Sequence, residues 1–222
     1  MATVLITGAS RGIGAELARR YHARGDRVIA TMRSPATADL PDGIEKVALD
    51  VRSEAGQLAA SERIGPIPID LLICNAGVLH GRGGLTSDGY SEDEWAQTLM
   101  TNVAGVFFTI RSFQQHLEAT KGKIAVISSQ MGSSTQAKGS AYSYRASKAA
   151  ATNLALSLSD ELRERGIAIA AYHPGWVQTD MGGASAAISV EDSAVGLMAE
   201  FDALSLSTTG SFRQWNGAEM PI

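Results

Sequence analysis

The chain has 222 residues, a formal net charge of -4 and a hydrophobic fraction of 45%. That length and apolar content can bury a sizeable core in one domain, residues 1–222, and the mild negative charge argues against nucleic acid or an anionic membrane as partner. The single cysteine, Cys74, excludes an internal disulfide and suits a reducing cytoplasm, and no apolar run is long enough to span a bilayer.

The N-terminal stretch MATVLITGAS lacks a basic region followed by a long apolar segment, so no secretory leader is expected. Thr3–Thr7 (TVLIT) predicts a first strand. Ile13–Arg24 follows, with Ile13, Leu17, Ala18 and Tyr21 at helical spacing. Arg27–Thr31 and Lys46–Leu49 predict the second and third strands, with a short helix at Ser53–Arg63. Asp70–Cys74 predicts the fourth strand, in which Cys74 is a buried residue rather than a nucleophile. Ser91–Leu117 predicts one long helix, opened by a capping box at Ser91 and Glu94. Lys123–Ser128 predicts the fifth strand, Tyr142–Arg165 a helix closed by Gly166, and Ile167–Tyr172 the sixth strand. A helix at Val190–Ala203 and a short strand near Ser211–Arg213 complete the chain. Repeated β-α alternation with continuous apolar strands predicts an α/β Rossmann fold: a doubly wound parallel sheet of about seven strands, with helices on both faces.

Gly8-Ala9-Ser10-Arg11-Gly12-Ile13-Gly14 lies between the first strand and the first helix. Such a loop brings backbone N–H groups and a helix N-terminus against a pyrophosphate. Gly8 permits the tight turn, Gly12 the approach of the ligand, and Gly14 close packing of helix on strand. The spacing is G-x-x-x-G-x-G, and it lacks the Gly-Lys-Ser/Thr ending of a nucleoside triphosphate loop.

The segment AYSYRASK, residues 141–148, offers two tyrosines and one lysine. On a helix Tyr144 and Lys148 share a face at i, i+4, whereas Tyr142 is matched to Ala146. Tyr144 is therefore the expected acid. Moving a phenol from a pKa of about 10 to about 7 takes roughly 4 kcal/mol, which one positive charge at about 4 Å would supply at an effective dielectric of 20, with desolvation acting against it. The histidines His22, His80, His116 and His173 are scattered without ligand spacing, so no metal is expected.

TGASRGIG, the NAG of Asn75–Gly77, Asn102 in TNVAG, Ser128-Ser129, YRASK and HPGWVQTDM occur in this order. Together they closely resemble the short-chain dehydrogenase/reductase family, and within it the C-factor and sniffer-type carbonyl reductases. The resemblance runs from Thr7 to at least Thr179. It implies catalytic roles for Asn102, Ser129, Tyr144 and Lys148. Ser129 would hold the substrate carbonyl, with Ser128 a turn residue and Ser133 and Ser134 as alternatives, because the interval to Tyr144 is slightly longer than the family's commonest one. Lys148 would bind the nicotinamide ribose and join a proton relay through a water held at Asn102. An oxidised nicotinamide would add to its lowering of the phenol pKa, with desolvation acting against both. Ser10, Arg11, Gly12 and Ile13 would meet the pyrophosphate side, Asp50 the adenine, and Asn75, Ala76 and Gly77 the adenine ribose side. Pro174, Gly175, Val177 and Thr179 would bracket the nicotinamide.

An acidic residue at the end of the second strand typically holds a ribose 2′-hydroxyl, but here that position is Met32, followed by Arg33. Arg33 and Arg11 are expected to clamp a 2′-phosphate, which makes the cofactor NADP(H). The implied function is reduction of a small aldehyde, ketone or diketone, with a dinucleotide-sensing protein on the same fold as the alternative. The short interval Met181–Val190 predicts an open, tolerant pocket with Gln130, Met131, Gln136, Tyr142, Trp176 and Met181 as candidate walls. The Tyr142–Arg165 helix is, by resemblance, a surface for homo-oligomer contacts.

Overall fold

The computed structural model describes residues 1–222. Seven strands form one sheet, all parallel: β1 (Thr3–Thr7), β2 (Arg27–Met32), β3 (Glu45–Ala48), β4 (Leu71–Cys74), β5 (Lys123–Ile127), β6 (Ala168–His173) and β7 (Phe212–Gln214). Their spatial order is β3-β2-β1-β4-β5-β6-β7. The helices are α1 (Gly12–Ala23), α2 (Glu54–Ile64), α3 (Glu92–Leu99), α4 (Gly105–Glu118), α5 (Tyr142–Glu164) and α6 (Val190–Ala203).

Strand periodicity divides the core in two. Leu5, Ile29, Leu72, Ile124 and Ile169 point to one face and pack with Phe113 and Leu117 of α4, Ala151 and Ala155 of α5 and Ile64 of α2. Their neighbours Val4, Ile6, Val28, Ile73 and Ala170 point to the other and pack with Leu17 and Tyr21 of α1 and Leu197 and Phe201 of α6. Both faces are dry, which is why the strands read as unbroken apolar runs. Cys74 belongs to the first cluster, 3% exposed, and burial pushes its thiol up to about 12.

The strand order reverses between β1 and β4. Loops leaving their C-terminal ends diverge to opposite faces and open a crevice there, where doubly wound sheets bind ligands. The expected single helix over Ser91–Leu117 differs in one respect. Its capping box is formed, with the Ser91 N–H donating to Glu94 Oε2 at 3.0 Å and the Glu94 N–H to Ser91 Oγ at 3.3 Å. One π-helical turn, Met100–Ala104, then separates α3 from α4. The wider turn shifts the helical phase and carries Asn102 into the interior, where it is 1% exposed.

Candidate active site

The glycine loop joins β1 to α1 at the crevice. Gly8 has φ +68°, and a Cβ there would lie 2.7 Å from Ala76 Cα. Gly12 has φ +57°, and a Cβ there would fall 3.3 Å from Thr179 Cγ2, in the gap between the loop and the segment after β6. A Cβ on Gly14 would meet the Gly8 carbonyl oxygen at 2.6 Å as well as the Asn75 amide. Asn75 fastens this arrangement: its Nδ2 donates to the carbonyls of Thr7 and Gly8, both at 3.0 Å. The Thr7 hydroxyl accepts from the N–H groups of Asn75 and Ala76. No side chain caps the first turn of α1 and no acidic residue stands in it, so its N–H groups face the crevice with their positive end unopposed. A pyrophosphate fits this cradle.

Ser10, Arg11, Ile13, Asn75, Ala76 and Gly77 line the crevice beside the glycines, as do Arg33 and Asp50 farther along and Tyr144, Lys148, Pro174 and Thr179 at the other end. Asp50 is held by a residue that sequence reasoning did not single out. Arg52 donates from Nε to Oδ1 at 3.0 Å, from Nη2 to Oδ2 at 2.6 Å and from its backbone N–H to Oδ1 at 3.0 Å. These bonds hold the Asp50 carboxyl below the usual range, and the Arg33 charge adds to the effect. Arg33 is exposed and carries no carboxylate partner. Arg11 does: its Nη1 lies 2.6 Å from Asp180 Oδ2, bridging the glycine loop and the segment after β6, with both side chains about three-quarters exposed at 75% and 74%.

The second group of site residues stands on α5. Ala141, which precedes the helix, is left-handed at φ 51°. Tyr144 is 7% exposed and Lys148 4%. Their i, i+4 relation sets the lysine Nζ 5.6 Å from the centre of the tyrosine ring, and Nζ donates to the Ile127 carbonyl at 2.7 Å. Burial moves the two groups in opposite directions, the phenol up to about 12 and the ammonium down to about 8. The expected lowering of the phenol by Lys148 is therefore not what the geometry gives. Desolvation dominates, and what opposes it is the nearby Ser129 hydroxyl and the charge of Arg82.

The two adjacent serines differ in their partners, although it is Ser128 that lines the crevice. Ser128 is 1% exposed, donates to the Lys148 carbonyl at 3.0 Å and bonds the Thr152 hydroxyl at 2.6 Å. Ser129 accepts from the Met131 N–H and faces Tyr144. Gly132 allows this turn to lie on α5, since a Cβ there would come within 2.6 Å of the Lys148 carbonyl carbon. Asn102 is fully engaged. Its Oδ1 accepts from the Val78 N–H, and its Nδ2 donates to the Val78 carbonyl and to Ser147 Oγ, each at 2.9 Å. Its side chain thus ties the loop after β4 to α5. Tyr142 is half-buried and packs its ring against Tyr90 at 5.5 Å between centroids.

Gly175 and Val177 do not line the crevice. Gly175, at φ +90°, lies against the Trp215 ring, and Val177 is 4% exposed and bridges to Ile188. They support the Pro174–Thr179 wall from behind. Of the candidate substrate walls Met181 lines the crevice, and Trp176 is 51% exposed beside it, with its Nε1 donating to the Gly182 carbonyl. Sequence reading missed Asp180, Arg52, Gln97 and Thr101 as lining residues. Thr101 and Asp180 stand inside the TNVAG and HPGWVQTDM motifs and Arg52 directly follows Asp50-Val51, whereas Gln97 carried no signal.

The sequence profile described as short chain dehydrogenase matches residues 2–188. The chain belongs to that family. Among relatives of the short chain dehydrogenases, the C-signal protein of Myxococcus xanthus is 36% identical over 156 residues, which is 69% of this chain and 93% of that protein. The NADPH-bound carbonyl reductase from chicken fatty liver superposes with a TM-score of 0.91 at 31% identity, covering 100% of this chain and 99% of the other. The carbonyl reductase Sniffer of D. melanogaster superposes with a TM-score of 0.92 at 26% identity, covering 100% of both chains.

Proposed function

We propose that the chain is an NADP(H)-dependent carbonyl reductase that converts an aldehyde, ketone or diketone to an alcohol. The observation that carries this reading is the pairing in one crevice of a glycine cradle suited to a dinucleotide with a buried tyrosine and lysine one helical turn apart, Tyr144 and Lys148. The NADPH-bound chicken carbonyl reductase supports the choice of cofactor and of reaction. The unopposed N-terminus of α1 holds the pyrophosphate, Asp50 the adenine, and Arg33 the 2′-phosphate. When bound, the reduced nicotinamide supplies a hydride to the carbonyl carbon.

Ser129 donates a hydrogen bond to the substrate oxygen and so places it against Tyr144. Tyr144 gives its proton to that oxygen as negative charge develops there. A phenol held near 12 stays protonated throughout the physiological range, which suits an acid in the reducing direction. Lys148, still largely charged at pH 7, orients the nicotinamide ribose. Asn102 fixes the Val78 wall and α5 relative to each other, so that the acid meets the carbonyl. Helix α5 supplies homo-oligomer contacts. No helix is long and apolar enough to cross a membrane, and with the lone buried Cys74 this supports a cytoplasmic setting.

The likeness to the C-signal protein of M. xanthus supports a second reading, a dinucleotide-binding signalling protein with little turnover. A panel of small aldehydes, ketones and diketones assayed by loss of NADPH absorbance separates the two. Turnover of several members upholds the reductase, and tight NADPH binding with no turnover of any of them upholds the alternative.

A further inference from the structure

Arg82 stands on the loop between β4 and α3, and the fold holds it in place from both sides. The Tyr90 hydroxyl donates across the carbonyls of its two neighbours, Gly81 at 2.9 Å and Gly83 at 2.7 Å. The same hydroxyl accepts from the Tyr142 N–H, and the Ala141 N–H donates to the Gly83 carbonyl, so this loop is tied to the start of α5 two to three residues before Tyr144. From that bracket the Arg82 guanidinium reaches over to the opposite wall, where its Nη2 donates to the Met181 carbonyl at 2.8 Å. Met181 and Tyr144 line the same crevice. Arg82 is exposed and therefore stands at the rim of the crevice, joined to its Met181 wall.

Its charge is not neutralised there. Arg82 forms none of the ion pairs of the molecule, and the carboxylate next to Met181, Asp180, is taken by Arg11. One N–H of a five-donor fork is engaged, and the others remain free. Arg82 is also the charged group that acts on the Tyr144 phenol, lowering it against the effect of burial. A free planar guanidinium beside an acid that protonates a carbonyl oxygen matches a carboxylate a few bonds from that carbonyl.

Resting on the carbonyl-reduction reading, we propose that Arg82 is a specificity-determining residue that recognises a carboxylate on the substrate, so that oxo acids and formyl acids are preferred over their neutral counterparts. The bond to Met181 then keeps the guanidinium poised across the opening.

The test compares 4-formylbenzoate with its methyl ester, using NADPH and the wild-type, Arg82→Gln and Arg82→Lys proteins. The wild type is expected to favour the acid by about tenfold in kcat/KM, the scale of one charge-assisted hydrogen bond. Arg82→Gln should bring that ratio near one through the KM of the acid, any change in kcat from the lost charge near Tyr144 falling on acid and ester alike, and Arg82→Lys should keep part of the preference. Equal losses on acid and ester in Arg82→Gln, or a wild-type preference for the ester, would overturn the assignment. Failure of both compounds, and of the wider panel, refutes carbonyl reduction itself. Benzoate titrated into the protein–NADPH complex then decides Arg82 separately: binding about tenfold weaker in Arg82→Gln upholds it, and equal binding overturns it.

Discussion

Ser128 and Ser129 are neighbours in the chain but serve different partners: the first bonds the Lys148 carbonyl and Thr152 in the interior, and the second faces the Tyr144 phenol. Ser129→Ala should therefore lower kcat by about 10²–10³, as removal of an oxyanion donor does, with little change in melting temperature. Ser128→Ala should show the opposite profile, a loss of about 1 kcal/mol in stability with most activity retained. Steady-state kinetics and thermal melts of the two variants check this, and the reverse pattern would transfer the substrate role to Ser128.

Lys148 is a buried ammonium whose pKa falls from the ordinary 10.5 to about 8, so its burial disfavours the folded state by about 3 kcal/mol while it stays charged. The unfolded chain binds this proton more tightly than the folded one between about pH 8 and 10.5, so the cost is full below pH 8 and is relieved as pH rises through that window. After about 1 kcal/mol for the lost bond to Ile127, Lys148→Met should gain about 2 kcal/mol at pH 7, roughly 4–8 °C in melting temperature. The gain should shrink towards pH 10, and turnover should be lost. A Lys148→Met protein less stable than wild type at pH 7 would contradict this.

Gly132 brings the turn after β5 onto the backbone of α5, where a Cβ would lie 2.6 Å from the Lys148 carbonyl carbon and 2.7 Å from the Ala149 nitrogen. A helix backbone cannot yield as a side-chain tip does. Gly132→Ala should cost about 1–3 kcal/mol in stability and displace Ser129, lowering kcat. A wild-type melt and wild-type kcat would show that the turn has room to move.

Arg33 is exposed at the end of β2 with no acidic partner, and its charge is felt at Asp50. Arg33→Ala should raise KM for NADPH by about tenfold or more while leaving KM for NADH nearly unchanged. Equal losses with both cofactors would mean that Arg33 supports the fold.

The sheet was legible because both of its faces are buried, so each strand is an unbroken apolar run flanked by turns. The boundaries of β3 and β6 moved by one residue, since each takes in a polar residue outside the apolar run, Glu45 pairing with Ile29 and His173 with Gln214. Tyr144 was legible over Tyr142 because i, i+4 spacing is a property of the chain itself. The π turn at Met100–Ala104 was not, since the apolar pattern of α3 runs on into α4 and a phase shift of one residue leaves no gap in it. The contacts that shape the mouth of the site join residues far apart in sequence, 169 positions for Arg11 and Asp180 and 99 for Arg82 and Met181. No local pattern encodes them. The balance of effects on the phenol was not legible for the same reason: a charge at helical spacing can be counted from sequence, but the size of the desolvation that opposes it depends on everything packed around Tyr144.

The central claim is that the Tyr144 hydroxyl supplies the proton for carbonyl reduction, and Tyr144→Phe removes that oxygen alone while keeping the ring that packs beside Lys148. NADPH consumption with an active carbonyl substrate should fall by at least about 10², while NADPH binding measured by titration stays within a few-fold of wild type and Tyr142→Phe remains active. A Tyr144→Phe protein that turns over near the wild-type rate, with Tyr142→Phe inactive instead, would contradict the account.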